Sequence, residues 1–309
     1  MKQEQKRMVA LMERLAPVEG YNLSALPGVR LLRSNRPLSR TPVLYEPGIV
    51  IVCQGRKRGF LGEQVYLYDA QHYLAVAVPV PFSMETEASA VEPMLAIYLH
   101  LDLQLTADLL LELEEHGQAV QAEPKGMLST PMDRPLATSV LRLLEAMTDP
   151  LETAILGRAL VREIYFRVLT SEQGASMRAA LMQQGRFATI ARALRKIHAS
   201  FSAALDVEQL AAEANMSVAT FHHHFKAVTA TSPMQYLKST RLHQARLLMI
   251  RNGTSVAAAC ASVGYESASQ FSREFKRLFG RSPVEEVAYL RKTFAMPAPQ
   301  PSELYVSAY

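Results

Sequence analysis

The stretch Ser267 to Pro283 reads S-A-S-Q-F-S-R-E-F-K-R-L-F-G-R-S-P. Phe271, Phe275, Leu278 and Phe279 recur in it at three- and four-residue intervals, which places them on one face of a helix. Ser267 stands where an N-cap accepts from exposed backbone N–H groups, and Gly280 stands where the run stops. The opposite face carries Ser269, Ser272, Arg273 and Lys276. These groups suit hydrogen bonding to base edges and phosphates and offer no chemistry for breaking bonds.

About fifty residues upstream the chain nearly repeats itself. Ser217, Phe221, Phe225, Lys226, Ser232 and Pro233 match Ser267, Phe271, Phe275, Lys276, Ser282 and Pro283. Just before them, Leu210-Ala211 and Asn215-Met216 match Ala259-Cys260 and Gly264-Tyr265. Each copy reads helix, turn, helix. Asn215 and Gly264 fall at the turn, and these residue types tolerate a left-handed backbone there.

These residues resemble the AraC family of bacterial transcription regulators. The family's DNA-binding domain holds two helix-turn-helix units joined by a long helix, and its second unit ends in a signature close to S-x-F-S-R-x-F-K-x-x-F-G-x-S-P. Ser269 through Pro283 fit that signature at every fixed position, and the resemblance runs from about Arg186 to Lys292. It implies a joining helix from Met234 to Ile250, with Tyr236, Leu237, Leu242, Ala245, Leu248 and Met249 on its buried side. One departure is Thr229-Ala230-Thr231, where the family usually has a glycine after the threonine. The end of that helix is therefore expected to be held less tightly.

In the first copy the reading helix spans Ser217 to Val228, with Ala219, Thr220, His222, His223 and Lys226 outward by comparison with the second. The candidate DNA contacts are these five with Ser217, and Ser267, Ser269, Ser272, Arg273 and Lys276 in the second copy. Arg273 leads because its fork can bond guanine O6 and N7 together. The alternative is a phosphate or an adjacent acid such as Glu274. The serines and Lys276 suit phosphates. Glu266 and Glu274 are expected to face solvent, and His224 to lie beside the first helix of its unit. His222-His223-His224 invites a metal reading, but successive helical residues point about 100° apart and cannot converge on one ion. DNA contact by His222 or His223 is weighed against a merely solvated face. Neither a metal nor a cofactor is expected. Two linked reading helices most simply enter successive major grooves about 34 Å apart.

The formal net charge of +4 is modest, so its distribution matters more. Gln183 to Lys292 holds about 15 Lys/Arg against 7 Asp/Glu, roughly +8, leaving about 18 against 22, roughly −4, for the remainder of the 33 and 29. Such an excess supplies sequence-independent attraction to phosphates that weakens steeply with salt. At 309 residues, 49% hydrophobic and 20% charged, the chain has room for two folded domains. No apolar run reaches the eighteen or so residues of a membrane helix, and Met1–Arg7 lacks a signal peptide's apolar core. Cys53 and Cys260 form no disulfide framework, which fits a reducing compartment, and the expected location is the cytoplasm.

Before the repeats, Lys2 to Leu15 reads as an amphipathic helix packed on its own domain, with Met8, Val9, Met12 and Leu15 on one side. Short β-type runs follow at Val29–Arg33, Ile49–Cys53, Val65–Tyr68, Tyr73–Val78 and Leu95–His100, predicting a compact antiparallel sandwich or barrel. AraC relatives place a small cupin-like sensing barrel here. The runs Tyr45-Glu46-Pro47-Gly48, Val52-Cys53-Gln54-Gly55 and Tyr68-Asp69-Ala70 resemble one N-terminal branch of that family. His72 and His100 each stand alone, without the close histidine pair of a cupin metal site. Cys53 precedes Arg56, Lys57 and Arg58, cations that could lower its thiol pKa, so a redox-reactive sensor cysteine is weighed against a buried strand residue.

Helical patterns then span Ala107–Glu115, Arg134–Met147 and Leu151–Leu169. The second lines up Leu136, Val140, Leu143, Leu144 and Met147, and the third Ile155, Leu156, Leu160, Ile164 and Val168, more apolar surface than one barrel needs. They form either a core pair within one subunit or, as the resemblance implies, a dimer seam. Ser171 to Ser176, with Gly174 inside, reads as a hinge, and Pro297, Pro299 and Pro301 mark a poorly ordered tail.

The expected fold is α+β: an N-terminal cupin-like β-barrel with flanking helices over 1–176, an all-α DNA-binding domain of two helix-turn-helix units joined by a long helix over 177–292, and a tail over 293–309. The expected function is a sequence-specific transcription regulator and not an enzyme. Its implied partners are double-stranded DNA, a small-molecule effector whose binding residues the sequence does not name, a second copy in a homodimer and, for an activator, RNA polymerase. The alternatives are a DNA-organising protein without effector and a cupin-type enzyme fused to a DNA-binding domain.

Overall fold

The structure is a computed structural model and describes residues 2–118, 122–182, 186–229 and 231–294. The chain forms two compact units, the first holding nearly all of the chain up to Ala188 and the second built mainly from Thr189 onward.

In the first unit, α1 (Lys2–Leu15) precedes β1 (Gly20–Leu23), β2 (Val29–Ser34), β3 (Leu38–Tyr45), β4 (Gly48–Gln54), β5 (Arg56–Leu61), β6 (Gln64–Asp69), β7 (His72–Val76), β8 (Val80–Glu87) and β9 (Met94–His100). After α2 (Leu103–Glu115), β10 (Met127–Pro131) returns to the sheet beside β7. The sheet is a single curled half-barrel in the order β1-β2-β9-β4-β7-β6-β5-β8-β3. Alternation assigns its faces: Val50 pairs with Tyr98 and Leu74 on one side, while Ile49 and Ile51 pair with Leu99 and Ile97 on the other. α1 packs against β4, β9 and α3 (Arg134–Ala146), burying Met8 and Met12 as its periodicity predicts.

The five predicted strand runs correspond to β2, β4, β6, β7 and β9. β3 carries Pro42 and β5 opens R-K-R-G, so neither presents an alternating apolar run; β8 does alternate, with Val80, Phe82 and Met84 buried, but Pro81 interrupts it in the sequence. β3 ends the strand order, where a missing N–H costs no ladder bond.

α3 packs against α4 (Pro150–Leu169), and each begins with an aspartate cap followed by proline in its first turn. Leu136, Val140, Leu143 and Leu144 of α3 are buried within the subunit. The five apolar residues read on α4 divide: Leu160, Ile164 and Val168 are buried, whereas Ile155 is 70% and Leu156 46% exposed. Residues 171–176 differ from the expected hinge because their polar groups are already engaged. The Tyr73 hydroxyl donates to Ser171 Oγ at 2.9 Å, Gln173 Nε2 to the Ser129 carbonyl at 3.0 Å, and α5 (Gly174–Leu181) starts inside the segment.

The second unit comprises α6 (Arg186–Ser200), α7 (Val207–Glu213), α8 (Val218–Thr229), α9 (Pro233–Arg251), α10 (Val256–Ser262), α11 (Ala268–Phe279) and α12 (Pro283–Phe294). α9 is the predicted joining helix, packed on α8, α10, α11 and α12. Leu248 is half-buried, and the other apolar residues predicted to face inward are buried. The prolines of the expected tail, and Ala230, lie outside the described residues.

Candidate nucleic-acid interface

The two helix-turn-helix units are built alike down to their turns. After α7, Asn215 adopts φ +50°, and after α10, Gly264 adopts φ +78°. In the first turn the N–H of Met216 donates to the Ala211 carbonyl at 3.0 Å; in the second, Tyr265 donates to Cys260 at 3.1 Å. This six-to-one bond is the Schellman closure, which satisfies carbonyls that the helix end leaves unpaired. Gly264 is fixed twice over, because a Cβ there would lie 2.3 Å from the Ser202 carbonyl oxygen. The loop holding Ser202 is itself pinned: Arg241 of α9 donates to the carbonyls of Phe201 and Ala203, each at 2.7 Å.

Rows of aromatic rings then anchor each reading helix. In α11, Phe271, Phe275 and Phe279 stack successively with centroids 5.6 and 4.5 Å apart, and Tyr265 meets Phe271 at 5.4 Å. In α8, Phe221 meets Phe225 at 5.3 Å, and Phe225 meets Tyr236 of α9 at 5.5 Å. The Tyr236 hydroxyl lies within hydrogen-bond distance, 2.7 Å, of His198 Nε2 of α6, and burial pushes that imidazole down to about 4, so it is neutral. Beneath α11, Arg246 of α9 lies over the Phe279 ring at 4.3 Å and pairs with Glu286 of α12 at 3.3 Å.

The faces opposite these rings hold the residues singled out from sequence. Ser217, Ala219, Thr220, His223 and Lys226 are exposed and His222 is half-buried; Ser267, Ser269, Arg273 and Lys276 are exposed and Ser272 is half-buried. All eleven therefore lie on the open sides or N-termini of α8 and α11. Ser217 and Ser267 also cap their helices, accepting from the N–H of Thr220 at 3.3 Å and of Gln270 at 3.2 Å. The rings of His223 and His224 meet edge to face at 5.2 Å, and among the described residues no group of His, Cys, Asp or Glu is placed to hold a metal ion. Arg273 and Lys226 make no hydrogen bond or ion pair among the described residues.

Two family descriptions match the chain: the AraC-type transcriptional regulator N-terminus over residues 25–176, and a helix-turn-helix domain over residues 210–287. The chain belongs to the AraC family of transcription regulators. Among its curated relatives, the RCS-specific HTH-type transcriptional activator RclR of Escherichia coli is 40% identical over 79 residues, 26% of this chain and 28% of the relative. The HTH-type transcriptional activator RhaS of Escherichia fergusonii is 35% identical over 85 residues, 28% of this chain and 31% of the relative. The chain thus spans less than a third of the length of these relatives. Over nearly the whole chain the fold is that of ToxT from Vibrio cholerae. The structure of ToxT with an unsaturated fatty acid bound superposes with a TM-score of 0.57 at 12% identity, covering 87% of this chain and 97% of ToxT. A second ToxT structure gives 0.56 at 11% identity, covering 84% and 98%.

Within this AraC-family chain two sequence expectations need correction. Glu274 does not face solvent: it accepts from the Tyr265 hydroxyl at 2.7 Å, Lys238 Nζ at 3.0 Å and Gln270 Nε2 at 3.2 Å. Partial burial alone would raise its carboxyl, but these bonds outweigh it and hold the pKa below the usual range. Glu274 thereby ties α11 to its own turn and to α9, and Arg273 is not its partner. Cys53 does not have a reactive thiol's surroundings. It is 1% exposed, burial pushes its thiol up to about 12, and Arg56 and Arg58 turn to the other face to pair with Glu87 and Glu85. Sequence reasoning also missed the Arg241 clamp, whose partners are backbone carbonyls that no side-chain pattern reveals.

Proposed function

We propose that this chain is a sequence-specific, DNA-binding transcription regulator whose first half takes up a small-molecule effector. One observation carries the reading: two like-built helices, α8 and α11, each buried by aromatic rings on one side and lined on the other by hydrogen-bonding side chains, with Arg273 and Lys226 unpaired among the described residues. Such groups bond base edges and phosphates, and the basic excess of this half draws the helices onto DNA. In this reading Arg273 reads a base, while Ser269, Ser272 and Lys276, with the capping hydroxyls, hold phosphates. His222 and His223 contact DNA from the first unit beside Ala219 and Thr220.

Residues 1–176 would form the sensing and dimerising half, 177–292 the DNA-binding half and 293–309 a tail. ToxT, with the same fold, has been captured with an unsaturated fatty acid, which supports an effector in the first half here. An effector shifts operator occupancy only by its differential affinity for two arrangements of the DNA-binding halves. Leu151 and Ile155 of α4, 72% and 70% exposed, support a homodimer seam on that helix. Among the described residues no helix is long and apolar enough to cross a membrane, and the proposed location is the bacterial cytoplasm. RNA polymerase is the further partner of an activator.

The test is selection of random duplex DNA on the full chain, with Arg273→Ala run at the same salt. The expected result is an asymmetric motif in two blocks one helical turn apart, relaxed in one block by the substitution. Salt-sensitive binding without any motif would instead indicate a DNA-organising protein.

A further inference from the structure

Lys57 of β5 is 2% exposed, yet among the described residues no carboxylate pairs with it. The acids of the neighbouring strands serve the opposite face, where Asp69 and Glu87 pair with Arg56, and Glu85 and Glu87 with Arg58, at 3.0 to 3.8 Å. Lys57 stands directly opposite Tyr68 of β6 and Thr86 of β8, so these three side chains share the buried face. Its ammonium has one acceptor, Met84 Sδ at 3.5 Å, and the Thr86 hydroxyl donates to the same sulfur at 3.5 Å. The Tyr68 hydroxyl is buried near that of Tyr45 and has no well-formed hydrogen bond. Donors therefore converge on a thioether, which is a weak acceptor.

Burial lowers the ammonium only to about 8, so it remains cationic at neutral pH. A buried, unpaired cation is costly, and among the described residues only the weakly accepting Met84 sulfur answers it. The ring of Tyr68 flanks Gly59 together with Phe82, and the Tyr45 ring meets Phe82 edge to face at 4.8 Å and Tyr98 at 6.5 Å.

We propose that the interior of the first unit binds a monocarboxylate with an apolar body, its carboxylate accepting from Lys57, Thr86 and Tyr68 in place of the Met84 sulfur. The unbranched Met84 side chain can rotate aside, leaving the aromatic rings to enclose the ligand's body. The proposal rests on the reading of this unit as the effector-binding half and names the ligand class of that site.

The experiment measures binding of octanoate and cinnamate, with their neutral amides as controls, to the full chain by calorimetry and thermal shift. Wild type is expected to bind a carboxylate and not its amide. Lys57→Met is expected to weaken that carboxylate by about tenfold or more, the loss of a charged hydrogen bond. It should unfold at the same or a higher temperature, because it removes an unpaired charge, whereas a merely structural lysine would lower that temperature. Tyr68→Phe, which keeps the ring, gives a second reading should Lys57→Met fold poorly, and is also expected to weaken binding. Equal binding of acid and amide, unchanged affinity in both variants, or no binding of either acid overturns the proposal. Selection of an operator by the same preparation separates that failure from failure of the regulator reading.

Discussion

Replacing Gly264 with alanine tests how the second helix-turn-helix turn is held, and Gly280→Ala is its internal control. Both glycines have φ near +80°, at +78° and +80°, so each substitution carries the left-handed cost of about 1–2 kcal/mol. They differ in what the new methyl meets. Nothing lies within 4 Å at Gly280, whereas at Gly264 the Ser202 carbonyl oxygen is 2.3 Å away. That oxygen belongs to backbone and cannot rotate aside, and Arg241 fastens the carbonyls on both sides of it. Overpacking of this kind adds about 1–3 kcal/mol, so Gly264→Ala should cost about 2–5 kcal/mol in all. Hydrogen exchange of the full chain, followed in peptides from α10 and α11, reads the difference locally. The expected order of lost protection is Gly264→Ala well beyond Gly280→Ala. Arg241→Ala should soften the effect of Gly264→Ala by releasing the loop, making the double variant less than additive. Equal losses from the two glycine substitutions would refute the reasoning, because the loop would then be no barrier.

Three further outcomes are expected. Lys276→Ala should weaken all DNA sequences alike and reduce the log–log salt slope by about 0.9, whereas Arg273→Ala should lose about 1–3 kcal/mol of discrimination at one base pair; competition binding at several salt concentrations separates the two. Neither thiol should label in the native chain at pH 8. Cys53 and Cys260 are both buried, and burial raises both thiols; that of Cys53, near 12, is ionised in only about one molecule in ten thousand, against about a quarter for a free thiol; denaturant should restore full labelling. Because Lys57 binds its proton less tightly folded, at about 8 against 10.5, the unfolded chain holds more protons between those values and stability should rise with pH there. The gain is about 2 kcal/mol between pH 8 and 10 and should vanish in Lys57→Met. Above that window buried Tyr68 and Tyr98, whose pKa values are raised by desolvation, reverse the trend.

The helical half was nearly legible because its core repeats at helical spacing: the phenylalanines of α8 and α11 are all buried, and both turn residues adopt positive φ. The sheet was most legible where strands are buried on both faces, as in β4 and β9, while β8, which alternates cleanly, was passed over because Pro81 reads as a break. The strand order was not legible, since β2 pairs with β9 across more than sixty residues, and no local signal encodes such a pairing. Glu274 was misjudged, and the burial of Lys57 went unread, for a common reason. Charged residues among other charges read as solvated, and only the packing of neighbouring elements decides which one turns inward. At Lys57 a signal was available: strand alternation through Arg56, Lys57 and Arg58 sends the middle residue to the face opposite its neighbours.

The loop that Arg241 holds against α9 connects α6 of the first reading unit to α7, and the turn of the second unit closes upon it at Gly264. Two recognition surfaces joined in this way make a ruler rather than a pair of tethered hands. Each base pair added between two half-sites rotates one of them about the DNA axis by about 34–36°. A rigid ruler answers by forfeiting one set of contacts. Under the proposed function, DNA sites bound by the two units should therefore tolerate substitutions within a half-site more readily than the gain or loss of a single base pair between them.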